Sequence, residues 1–133
     1  MSAPVVKHEI EPEREDDPDH PVPYLGVIDV AAYLKSGGAK LTIIVASPLE
    51  DDERSHKRLL DKIEGYLSYI ASDQFLEHAH ATASPENTTI TVALHPATAP
   101  SVFSLLARCH QWVESGRAKL VVRQLTEHEL GGT

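Results

Sequence analysis

The feature that most constrains the fold of this chain is a stripe of apolar residues near its middle. Apolar side chains recur there at spacings of three and four, as Leu59, Leu60, Ile63, Tyr66, Leu67 and Ile70. The positions between them are mostly charged or polar. This pattern predicts a long amphipathic helix, and such a helix must bury its apolar side against a sheet or other helices.

The residues ahead of this stripe predict where the helix begins. Ser47-Pro48-Leu49-Glu50 matches a capping box, with serine at the N-cap, proline at the first helical position and glutamate three residues after the serine. The acids at positions 51–53 suit the positive end of a helix dipole. We therefore predict a helix that starts at Ser47.

Strand patterns flank this helix on both sides. Residues 26–35 and 40–47 are rich in apolar and β-branched side chains and surround Gly37-Gly38, which predicts a β-hairpin. Residues 88–94 alternate between apolar and polar side chains, and residues 119–125 form a last apolar run. Both runs are predicted to be strands.

A second helix is predicted over residues 101–115, with Gly116 at its C-terminal stop, and residues 77–87 are predicted to form a loop. The element order is then β-β-α-β-α-β. Because strand–helix–strand connections are right-handed, the fold class is an α/β (α+β) two-layer sandwich with a four-stranded mixed sheet and two helices on one face. The other face of the sheet would be half polar and open, and the order of the strands stays undecided.

The ends of the chain differ from its body. Residues 1–23 hold five prolines, seven acids and two bases, a composition that predicts a disordered acidic tail. Residues 24–127 are predicted to form a single domain, and residues 128–133 a frayed C-terminus. The tail carries a formal charge of −5 and the remaining chain −3, out of −8 in total.

Composition excludes several classes of function. There is no basic stripe to neutralise phosphates, so we expect no nucleic-acid binding, and no apolar run of about 20 residues, so we expect no membrane span. The opening residues lack the pattern of a secretory signal, and the single cysteine, Cys109, cannot form an internal disulfide. These features predict a cytoplasmic protein.

Two motifs resemble a known family. The opening Val27-Ile28-Asp29 and the helix pattern Lys62-Ile63-x-x-Tyr66-Leu67-x-x-Ile70 are similar to those of a family of small bacterial proteins of unknown function. The similarity covers roughly residues 26–125 and leaves the tail without a counterpart. It implies a bacterial origin and this α/β fold, but no activity. Some relatives carry a rhodanese-like label, which the mid-helix, apolar placement of Cys109 opposes.

One candidate site follows from the predicted topology. Ligands of open α/β sheets bind beyond the carboxyl ends of parallel strands, where Ser47, His95 and Arg123 are expected. Together with the helix N-terminus after Ser47, they would bind an anion. The alternatives are a helix cap for Ser47, a loop position for His95 and a surface ion pair for Arg123.

Two further candidates are single features. Asp29 interrupts an apolar strand, so it is either a functional acid or a carboxylate that is paired or exposed. His78 and His80 suggest a metal site but lack a third ligand at a suitable spacing, so we predict no metal and no cofactor.

Two functions are compatible with these observations. The first is a non-enzymatic protein-interaction or regulatory module, expected to self-associate as a homodimer and able to bind a protein partner. The alternative is a small-molecule or anion binder, or a minor enzyme, that uses the strand-end rim. The first is favoured because the sequence contains no phosphate loop, nucleophile elbow or paired catalytic carboxylates.

Overall fold

The structure, a computed structural model, describes residues 16–131. Its strands are β1 (Val30–Tyr33), β2 (Ala39–Val45), β3 (Thr88–Leu94) and β4 (Lys119–Gln124). Its helices are α1 (Glu53–Ile70), α2 (Asp73–Ala79), α3 (Pro100–Ala107) and α4 (His110–Ser115). The four strands lie in one sheet in the order β1-β2-β3-β4, with β1 antiparallel to β2 and the other pairs parallel. The predicted α/β fold with a four-stranded mixed sheet is confirmed.

The core lies between the helices and one face of the sheet. Alternate residues of β2 and β3, such as Leu41, Ile43, Ile90 and Val92, are fully buried. They form one apolar cluster with the inward side chains of all four helices. Burying large aliphatic side chains stabilises such a domain by about 1.5–3 kcal/mol each, so this layer contact dominates the stability of the fold.

The predicted hairpin between β1 and β2 is present. Gly37 and Gly38 both have φ of 100°, a conformation that side chains rarely adopt. A Cβ on Gly38 would also lie 2.1 Å from the carbonyl oxygen of Asn87, because the turn packs directly against the chain that enters β3. Glycine at this position is therefore required by both conformation and space.

The first long helix begins later than its sequence predicted. Its N-cap is Asp52, whose carboxylate accepts a hydrogen bond from the Ser55 amide at 2.7 Å, so the capping box at Ser47 is wrong. The reason lies in the loop after β2, where Leu49 is buried in the core. The Leu49 amide donates to the Thr98 hydroxyl, and its carbonyl accepts from the Ala99 amide. These contacts keep the chain out of helical conformation until Asp52.

The other two helical regions also differ from prediction. The short helix α2 occupies the start of the predicted loop, capped by the Ser72 hydroxyl and anchored by buried Phe75. The single helix predicted over residues 101–115 is divided, because helical geometry stops at Arg108 and restarts after Cys109. The two residues at this division, Arg108 and Cys109, line the groove described below.

The chain ahead of β1 is held against α1. Val22 and Leu25 lie in the core, and residues 17–25 run beside the helix. The fully buried Arg58 donates from Nε to the Val22 carbonyl at 2.9 Å and from a terminal nitrogen to the Pro23 carbonyl at 3.1 Å. The predicted tail, residues 1–23, therefore contains a packed part; residues 1–15 and 132–133 lie outside the described residues.

Candidate functional site

The carboxyl ends of β2, β3 and β4 adjoin as the topology predicted. Ser47 and His95 follow β2 and β3 in the chain, and Arg123 is the next-to-last residue of β4. His95 follows β3 directly, and its amide donates to the Val45 carbonyl. Its ring Nδ1 accepts from the Ala97 amide at 2.9 Å, a contact that closes the turn after β3. Ser47 is exposed and lies six residues before the first residue of α1. The helix N-terminus that was expected to assist anion binding is therefore not at Ser47.

Arg123 is engaged by the C-terminal turn. Its guanidinium donates two hydrogen bonds to the Glu129 carboxylate, at 2.9 and 2.7 Å. The paired guanidinium lowers the pKa of Glu129 to about 2, and the amide of Thr126 adds a third hydrogen bond to the carboxylate. Because this pairing offsets the charge of Arg123, the rim offers an anion less attraction than the sequence suggested.

Asp29 precedes β1 and is paired. Its Oδ1 accepts from the Lys62 ammonium at 2.9 Å, and its Oδ2 accepts from the Ile44 amide at 3.0 Å. The Lys62 side chain is only 2% exposed and also donates to the Tyr24 carbonyl. Asp29 is therefore a paired carboxylate, and its role as a functional acid stays a prediction.

The hydroxyl of Tyr66 completes the same network. It accepts from the Asp29 amide at 2.7 Å and donates to the Thr42 carbonyl at 2.8 Å, so it bridges the start of β1 to β2. Burial raises the pKa of Tyr66, which keeps the hydroxyl protonated for this role. The motifs on which the family resemblance depends thus meet in one cluster, formed by Asp29, Lys62 and Tyr66.

The histidine pair is separated by the end of α2. His78 lies in its last turn, and ring Nδ1 is 2.8 Å from the Tyr69 hydroxyl, which also contacts the Tyr33 hydroxyl. His80 is the C-cap, with φ of 57°. Within residues 16–131, no group of three or more histidine, cysteine or acidic side chains is placed to hold a metal ion.

A groove lies on the surface of the helical layer. It has a volume of about 570 Å³ and lies between α1 and the α3–α4 region. Its lining residues come from both sides: Leu60, Asp61, Glu64, Leu105, Arg108, Cys109 and Trp112. A volume of this size falls in the range of roughly 300–1,000 Å³ that is typical of ligand sites.

The shape of the groove follows from two local features. At one end, α4 terminates at Gly116, where an added Cβ would lie 2.7 Å from the side chain of Leu67, so the helices touch there. Further along, the break at Arg108 and Cys109 interrupts the wall opposite α1. The thiol of Cys109 donates to the Leu105 carbonyl at 3.3 Å across this break.

The side chains of the groove combine an aromatic surface with charge. Trp112 is 38% exposed and is the only tryptophan of the chain. Asp61 and Glu64 lie three residues apart on α1, which places them on the same side of the helix. Asp61 also pairs with Lys57 at 3.1 Å, and Arg108 faces the groove from the other wall.

Cys109 is a buried part of the wall. It is 7% exposed, and burial raises the pKa of its thiol, with Arg108 acting weakly in the opposite direction. The thiol is therefore protonated at neutral pH and a poor nucleophile. Its role here is to supply apolar surface.

Sequence reasoning missed this groove. The groove includes a break between two helices, and no proline or glycine in residues 101–115 marks that break in the sequence. The tertiary fold brings Trp112 near Asp61 and Glu64, which lie on another helix. The sequence alone therefore carries no signal for this groove.

Comparison with known proteins identifies no relative. No protein-family model, curated protein sequence or solved structure matches the chain. Among residues 16–131, no helix combines the length and the apolar content needed to cross a membrane.

Proposed function

We propose that this chain is a non-enzymatic interaction module, and that its groove binds an amphipathic segment of a partner protein. The observation that carries the proposal is the partly exposed Trp112 on the groove wall. Tryptophan is enriched among the residues that dominate binding energy at protein interfaces. Leu60 and Leu105 extend the apolar surface to either side of it.

Charge suggests the chemistry of the partner. Asp61 and Glu64 line one wall of the groove and Arg108 the other, within a chain whose formal charge is −8. A segment with an apolar face and basic residues beside it would bury the apolar face against Trp112 and place its bases near Glu64, the exposed one of the two acids, because Asp61 is buried and already pairs with Lys57. Recognition of this kind, with an amphipathic segment in a groove between helices, is a common mode of peptide binding.

The test is a selection from a random peptide library against the immobilised full chain. Library members that also bind the Trp112→Ala variant are removed, and Ile44→Ser on the opposite side of the sheet serves as the matched control. We expect the enriched peptides to be amphipathic and basic. They should bind Ile44→Ser as tightly as they bind the native chain, and they should bind Trp112→Ala at least about tenfold more weakly, a loss of roughly 1.4 kcal/mol. Failure of the selection to enrich any such peptide contradicts the proposal.

A small organic cation in the same groove is the second candidate, favoured by the groove volume of about 570 Å³. An indole beside carboxylates attracts cations through both the ring face and charge. Native mass spectrometry of the protein as purified distinguishes the two candidates. A small added mass that disappears under denaturing conditions supports the second, and a bare chain supports the first.

The predicted homodimer, the cytoplasmic location and the family membership stay predictions. Two-fold dimers are the commonest assemblies of soluble proteins, so we expect an interaction module of this kind to self-associate. The same mass measurement reports it directly, because a dimer has twice the mass of the 14.6 kDa chain.

A further inference from the structure

Among residues 16–131, no helix or loop covers the face of the sheet that points away from the helices. We call it the open face, and define it by the outward residues of the four strands: Val30, Ala32, Lys40, Thr42, Ile44, Thr89, Thr91, Ala93, Lys119, Val121 and Arg123. All of these are exposed or half-buried except Ala93. Val30, Ile44 and Val121 expose 45%, 38% and 37% of their surface.

The open face is basic although the chain is acidic. The chain holds 20 acids and 12 bases, yet the residues of the open face include three bases and no acid. Lys40 and Lys119 lie in the same row, because both pair in register with Thr89. With strands about 4.8 Å apart, the two lysine positions are roughly 10 Å from each other. Arg123, at the far end of β4, is the base that Glu129 already pairs.

The remaining surface suits an extended polypeptide. Thr42, Thr91 and Val121 form the row above the lysines, and Ile44 continues the apolar surface. This arrangement places methyl groups and hydroxyls between the charges. The residues of the open face include no aromatic side chain. Single-stranded nucleic acids bind open sheets by stacking their bases on aromatic rings, so this face lacks the main element of that mode.

We propose that the open face binds an acidic, extended segment of a partner protein, with its carboxylates near Lys40 and Lys119. This surface is on the other side of the sheet from the groove, so the proposal does not depend on the function proposed above. Binding to it would leave the groove free. The chain would then connect a basic partner on one side to an acidic partner on the other.

The experiment is an NMR titration of the full, isotope-labelled chain with a synthetic heptapeptide of alternating glutamate and valine. We expect the amides of Lys40, Lys119 and Val121 to shift, and the affinity to fall as salt is raised. The variant Lys40→Glu/Lys119→Glu should bind the heptapeptide at least about tenfold more weakly, since two attractive contacts become repulsive.

The matched control is Arg54→Glu/Lys57→Glu, which changes the net charge by the same amount on α1, at two positions that do not line the groove. We expect it to keep the affinity of the native chain within about twofold. Three results would overturn the proposal. The first is an equal loss of affinity in the control, and the second is tighter binding of a uridine heptanucleotide than of the peptide at the open face. The third is a set of shifts at the open face that depend on protein concentration alone, which would indicate binding of a second copy.

Discussion

The contact between Asp29 and Lys62 gives the sharpest test of how this fold is held together. The Lys62 ammonium is buried, and its positive charge is compensated by one carboxylate and one backbone carbonyl. We consider the single variants Asp29→Asn and Lys62→Met and the double variant. Methionine keeps most of the length and apolar packing of the lysine chain, so the comparison isolates the charged group.

The expected magnitudes follow from burial. Removing one partner of a buried ion pair costs about 3–5 kcal/mol, but Asp29 is 23% exposed, so we expect about 2–3 kcal/mol for each single variant. Asparagine at position 29 has one acceptor oxygen in place of two, so its NH2 group faces either the Lys62 ammonium or the Ile44 amide, and this contact between two donors adds to the cost of Asp29→Asn. The double variant leaves no buried unpaired charge and should lose clearly less than the sum of the singles, with a coupling energy of about 1.5–2.5 kcal/mol.

The assay is urea unfolding followed by the fluorescence of Trp112, the only tryptophan. Arg123→Met is the matched control, because Arg123 also pairs with a carboxylate, that of Glu129 at 2.7 Å, but the two side chains are 41% and 35% exposed. We expect the control to cost clearly less than either single variant, as exposed pairs do. A coupling energy below about 0.5 kcal/mol between positions 29 and 62, or an equal cost for Arg123→Met, would refute the reasoning.

Three further predictions concern single groups. Burial, together with the nearby Arg58 and Arg54, lowers the pKa of His20, whose Nδ1 accepts a hydrogen bond from the Val22 amide. The unfolded chain therefore takes up the proton first, so the stability of the native chain should fall as the pH is lowered through about 6.5, the ordinary pKa of histidine, while that of His20→Gln should not, as measured by urea midpoints. The pKa of Glu129 is lowered from 4.5 to about 2, so its contact with Arg123 should persist on acidification to pH 4.5 and be lost as the pH falls toward 2; side-chain NMR shifts of Glu129 check this, and loss of the contact above pH 4.5 would contradict it. The buried thiol of Cys109 should react with iodoacetamide at least about tenfold more slowly in the folded chain than in urea, and equal rates would contradict its placement in the groove wall.

The parts of the fold that could be predicted are those that local pattern determines. The hairpin at Gly37-Gly38, the stripe of α1 and the alternation of β3 each carry their own periodicity or turn chemistry, and all three are present. The predictions that were wrong are those in which a local preference of the sequence competes with tertiary packing. Ser47 has the sequence of a cap, but burial of Leu49 moves the start of the helix to Asp52.

The cluster around Asp29 and the groove were less predictable than the fold, because the residues that form them are far apart in the sequence. The sequence indicated that a carboxylate at position 29 must be paired or exposed, and it is paired. Its partner lies 33 residues away, on a helix whose rotation about its axis no single-sequence pattern specifies. Trp112 and Asp61 meet across the groove for the same reason.

These contacts give α1 three roles, one for each of its sides. One side buries Leu59 and Ile63 in the core, a second holds the chain ahead of β1 through Arg58 and Lys62, and a third lines the groove with Asp61. Because Lys62 neighbours Asp61 in the helix, the contacts that fix the N-terminal chain also fix the rotation of the groove wall. A wall held in this way loses little conformational freedom when a partner binds, and preorganisation of that kind increases affinity without any added contact. The buried polar network therefore orients the groove wall as well as the chain ahead of β1.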